Sequence, residues 1–137
     1  MAMQRDYLMR YIQQFIEAIQ RSMVRVEDQE DPEGAAEMLD EAIGNAADMD
    51  SALLLGFAPE SMASILQVSG TDPRLVEYIA RSLALSSSYH GRAGDASLEL
   101  LRMEQAQALA AAYGIDLDIP WEELFEGEEV PGGFLDD

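Results

Sequence analysis

Three proline-bearing start signals divide the chain into helices. Asp31-Pro32-Glu33, Ala58-Pro59-Glu60 and Asp72-Pro73 each set proline at a first helical position, where its missing N–H costs nothing. Asp31 and Asp72 precede their prolines as helix N-caps. Between these signals apolar residues recur at steps of three and four, and no run alternates as a half-buried strand would. The spacing therefore predicts an all-α chain, more than about 60% helical and without sheet.

The first segment, Gln4 to Val26, lines up Leu8, Tyr11, Ile12, Phe15, Ile16, Ile19, Met23 and Val26 on one helical face. Arg10, Arg21 and Arg25 fall together on the opposite face, within an arc of roughly 60°. They form a cationic ridge whose ordinary use is pairing with the carboxylates of the same chain. A second helix from Pro32 turns Ala35, Ala36, Leu39, Ala42, Ile43 and Ala46 inward and Glu33, Glu37, Asp40 and Glu41 outward. Its small inward residues predict a close antiparallel hairpin with the first helix. The apolar run Ala52 to Phe57 reads as a short helix or turn.

Ala58-Pro59-Glu60 opens a short helix with Met62, Ile65 and Leu66 inward, closed by Ser69-Gly70-Thr71. The next helix, Pro73 to about Gly91, carries Leu75, Val76, Ile79 and Leu83 on one stripe and Tyr78, Leu85 and Tyr89 on another. So wide an arc demands neighbours on two sides. Ser82, Ser86 and Ser87 lie beside it, placed to bond back to the preceding turn, and His90 shares the face of Val76, Ile79 and Leu83, placed to bond a nearby carbonyl. Gly91 to Asp95 supplies a stop, a turn and a new N-cap. The last helix, Ala96 to Tyr113, puts Leu98, Leu101, Gln105, Ala108, Leu109 and Ala112 on one face and ends at Gly114.

Charge is distributed unevenly along this framework. Residues 1–26 hold four arginines against Asp6 and Glu17, whereas residues 27–137 hold four arginines against 25 acids. With a net charge of -19 the chain is a poor direct ligand for nucleic acid, which is bound by neutralising phosphates with Lys and Arg. Residues 1–114 read as one helical domain, and residues 115–137 as an acidic C-terminal tail. That tail holds apolar anchors, Trp121 and Phe125 foremost, which suit docking on the helical layer or on a partner. No apolar run has the length of a membrane span, and the charged opening is unlike a signal core, so the expected location is the cytoplasm.

The residue types that carry catalysis are sparse. Cysteine is absent, His90 is the single histidine, and the serines have no base and orienting acid specified around them. Asp48-Met49-Asp50 and Asp116-Leu117-Asp118 are fragments of a calcium loop without its glycine and distant glutamate. The expectation is a chain that is not an enzyme, with no catalytic, cofactor-binding or metal residues and no cofactor.

The two helix-turn-helix units resemble a tetratricopeptide-type array. Gly94-Asp95 falls at that family's Gly-Asp turn, Met103 and Ala106 at the large and small packing positions that follow, and Ala35, Leu39 and Ala42 at the equivalent places of the earlier unit. The opening, Gln4-Arg5-Asp6-Tyr7-Leu8-Met9-Arg10-Tyr11-Ile12, resembles the start of a small uncharacterised bacterial family with tetratricopeptide-like helices. That resemblance implies about five helices stacked as antiparallel pairs, and it brings no activity. The resulting expectation is a protein-protein interaction module that receives a peptide or a subunit on stacked helix pairs. The alternative is an acidic regulator that occupies a basic, nucleic-acid-binding surface of another protein. Candidate contact residues are Arg10, Arg21, Arg25, Trp121 and Phe125, with self-association through the first helix as a further expectation.

Overall fold

Asp31 shows how the local chemistry builds the fold. Its carboxylate accepts the Gly34 amide at 3.0 Å, capping the second helix, and the Arg25 Nε–H at 2.9 Å, tying that cap to the end of the first. A two-residue link with Glu30 at φ 49° reverses the chain there. A computed structural model describes residues 2–121, with side chains from residue 7 onward. It contains α1 (Ala2–Gln29), α2 (Pro32–Ala46), α3 (Ser51–Leu55), α4 (Pro59–Val68), α5 (Pro73–Arg92) and α6 (Ala96–Tyr113), with no strand among the described residues.

Six helices therefore stand where about five were expected. The run around Ala52, read as a short helix or turn, forms α3, capped by the Asp50 carboxylate on the Leu53 amide. The first helix also runs three residues past Val26, to Gln29. Phe125 and the rest of residues 122–137 lie outside the described residues.

α1 and α2 form the antiparallel hairpin, α2 packs on α5, α5 forms a second hairpin with α6, and α4 rests on α6. Ile12, Phe15, Ile16 and Ile19 of α1 are sealed against Leu39 and Ile43 of α2 and Val76, Ile79 and Leu83 of α5. The Phe15 and Tyr78 rings stack across this core with centroids 6.0 Å apart. At Gly44 the backbone of α3 comes so close that an added Cβ would sit 2.7 Å from the Ser51 Cα, a contact only glycine permits.

α5 is the axis of the molecule, with buried residues around most of its circumference. That matches its two apolar stripes. α6 differs from its expected face: Arg102, Gln105, Ala106 and Leu109 are buried, whereas Ala112 is exposed. Past the left-handed Gly114, at φ 69°, residues 115–121 fold back over α5. The buried Arg81 holds them, donating to the Asp116 carbonyl at 2.6 Å and the Ile119 carbonyl at 2.7 Å.

Candidate interaction surface

Among the described residues, two groups of polar side chains bear on function, one inside and one outside. Inside, Asp40 of α2 accepts from Ser86 at 2.8 Å through Oδ1, while Oδ2 meets His90 Nε2 at 3.3 Å and the Arg102 guanidinium at 3.3 Å. Arg102 and Gln105 also donate to the Leu55 carbonyl, at 3.2 and 2.9 Å, and Gln105 donates to Phe57 at 3.0 Å. These bonds satisfy carbonyls that the end of α3 leaves open. The seam thus ties α2, α3, α5 and α6 together.

Several sequence expectations are corrected here. Asp40 turns into the interior because α5 and α6 bring Ser86, His90 and Arg102 to its carboxylate, although the helical wheel sets it about 20° from exposed Glu33 and about 40° from buried Ala36. His90 meets a carboxylate rather than a carbonyl. Ser86 and Ser87 bond across to Asp40 and to the Glu99 carbonyl instead of back to their own turn, since neighbouring helices bring better acceptors within reach. Ser82 Oγ is buried without a hydrogen-bond partner among the described residues. Arg102, absent from the expected inward face of α6, is buried, and with Gln105, Ala106 and Leu109 it follows the i, i+3, i+4, i+7 spacing of a buried face. The Ser86 hydroxyl faces the Asp40 carboxylate rather than the His90 ring.

Outside, the α1–α2 hairpin presents a chain of depressions. The central one, about 390 Å³, lies between Gln14, Ala18 and Arg21 of α1 and Met38, Glu41, Ala42 and Asn45 of α2. It shares Arg21 and Met38 with a second, about 430 Å³, that adds Val24 and Arg25. Toward the other end it shares Tyr11, Gln14 and Asn45 with a third, about 560 Å³, that holds Arg10. Beyond that lies the largest, about 860 Å³, under Tyr7 and Tyr11 and bounded by Met49 and Leu75. All three arginines of the ridge therefore line one continuous groove.

Its electrostatics are mixed rather than cationic. Arg21 reaches Glu17 at 3.4 Å with 70% of its side chain exposed, and Arg25 is engaged by Asp31. The Gly34 amide, then the Arg25 guanidinium, hold the Asp31 carboxyl below its ordinary range. At the wide end the Tyr7 and Tyr11 hydroxyls bond at 2.8 Å and their rings meet edge to face. That bond, then burial, pushes the Tyr11 phenol up. Apolar surface remains in water here, with Tyr7 57% and Val24 41% exposed. Trp121 packs partly buried against the core at the far end of the strap, apart from this groove, so the structure does not join it to the arginines.

Among the described residues no group of three carboxylates or histidines is placed to hold a metal ion. Asp50 is committed to its cap and the Asp116 carboxylate accepts the Asp118 amide. No helix described here is long and apolar enough to cross a membrane. Compared with family models, curated proteins and solved structures, the chain matches none.

Proposed function

We propose that the protein is a non-enzymatic interaction module whose binding surface is the outer groove of the α1–α2 hairpin. The observation that carries this reading is the continuity of that groove, which sets three arginines beside exposed Val24 and Tyr7. A binding face needs an apolar centre that gains by leaving water and a polar rim that sets orientation, and both are present. The reading as tetratricopeptide-like stacked pairs draws support from the α1–α2 and α5–α6 hairpins meeting where α2 packs on α5.

A photo-crosslinking side chain placed at position 24 tests the proposal in extracts of the native cells. Protein adducts are expected there, and Arg10→Glu/Arg21→Glu/Arg25→Glu should diminish them. No adduct at position 24, with adducts elsewhere unaffected by the triple variant, overturns the groove as the binding face. The strongly acidic remainder supports a second reading, occupation of a basic surface on another protein. Its adducts would lie outside the groove and vanish as salt is raised.

A further inference from the structure

Around Arg21 the outer face of the hairpin sets its cations on the α1 wall and carboxylates on the α2 wall, with Glu17 the acid on the α1 side. Arg21 and Arg25 stand on α1, and Glu41 stands on α2 across the same groove, with exposed Glu37 one turn before it. Met38, Ala18 and Ala42 form the floor between them. In a chain with 27 acids and eight arginines, net charge opposes the approach of a second copy. This face offsets that opposition, because a two-fold axis running along the hairpin would lay α1 of one copy over α2 of the other. That operation brings unlike walls together in both halves of the contact, as an isologous interface requires.

Resting on the proposed function, we infer that the occupant of the groove is a second copy of this chain, with Arg21 of each protomer facing Glu41 of the other and Val24 and Met38 buried between them. Arg21 is free to change partner, since its bond to Glu17 is an exposed 3.4 Å pair of the kind that holds weakly. The available surface sets the strength. α2, about 22 Å long against about 42 Å for α1, limits the overlap of α1 on α2, so the contact offers roughly half of the ~800 Å² per partner of a standard interface. A reversible, concentration-dependent dimer follows, rather than an obligate one.

The test is sedimentation equilibrium of the full chain over a concentration series at about 0.15 M salt, where a screening length near 8 Å damps the net repulsion between two acidic bodies but leaves contact pairs intact. The wild type should dimerise. Arg21→Glu and Glu41→Arg should each weaken the dimer by roughly tenfold, because each puts like charges together twice across the axis. The Arg21→Glu/Glu41→Arg double variant should return to within about threefold of the wild type, which a loss of folding would not do. Val24→Glu reports on the same face independently and should also weaken association, with circular dichroism melting showing each variant folded. A wild type that stays monomeric, single variants that dimerise unchanged, or a double variant that is not rescued overturns the inference. A monomeric chain whose position 24 still captures another protein would sink this inference and leave the proposed function standing. No adduct of any kind would sink both.

Discussion

On the outer hairpin face Arg21 reaches Glu17 across 3.4 Å, with 70% and 44% of the two side chains exposed, whereas in the interior seam Arg102 reaches Asp40 across 3.3 Å, with 7% and 16% exposed. The separations match, yet the pairs do different work. Water around Arg21 solvates the charge whether or not Glu17 is there, so the pair contributes little and either partner can be given up to another molecule. Arg102 has left water, and losing Asp40 would strand a cation whose Nε is already without a hydrogen-bond partner among the described residues. Burial, more than distance, decides which arginine is committed to the fold and which is available for binding.

The sharpest way to break this comparison is Asp40→Ala. It should cost about 3 to 5 kcal/mol, the usual penalty for breaking a buried pair, measured by urea denaturation. Phe15→Ala, which hollows the apolar core instead, should cost a similar 3 to 5 kcal/mol, roughly. If Asp40→Ala costs less than about 1 kcal/mol, the seam is hydrated and the contrast with the outer face collapses.

Arg81 extends the comparison to a buried arginine that serves backbone carbonyls. Arg81→Met should release the 115–121 strap at a cost of about 1 to 3 kcal/mol, since the freed carbonyls regain water. Trp121 is the single tryptophan, so a red shift of its fluorescence with unchanged helix content reads that release directly. An unshifted spectrum would show that apolar packing alone holds the strap.

At the smaller end, Arg21→Ala should change stability by less than about 0.5 kcal/mol, because nothing buried depends on it. A larger loss would mean the outer pair is structural. Acid should act through Asp31, whose carboxyl titrates lower folded than its ordinary 3.8. A depressed carboxyl adds stability above the unfolded value, and that stability is lost as pH falls through the folded one. Melting temperatures of the wild type should therefore drop on acidification below about pH 3.8 more steeply than those of Asp31→Asn, which keeps a capping oxygen but does not ionise. Parallel pH curves would show the cap working without its charge.

Helices, turns and the close α1–α2 hairpin were legible in one dimension because their causes are local. The prolines at positions 32, 59 and 73, the caps Asp31, Asp72 and Asp95, and the left-handed Gly114 act within a few residues, and α6 begins and ends where its signals predict. The three arginines needed only the pitch of one helix to be set on one face. Helical pitch also marked most of the core, from Phe15 to Leu83.

The interior seam was not legible in the same way. Helical pitch leaves Asp40 at the edge between exposed Glu33 and buried Ala36 and allows Arg102 a place beside Gln105 and Leu109, but what commits the two charges to the interior is a partner 62 residues away. A charge reads as exposed until a neighbouring helix supplies both its counter-ion and its hydrogen bonds, and that neighbour is chosen by packing. Periodicity assigns faces to helices, but only the approach of α2, α5 and α6 decides that Asp40 is cheaper inside with three donors than outside in water.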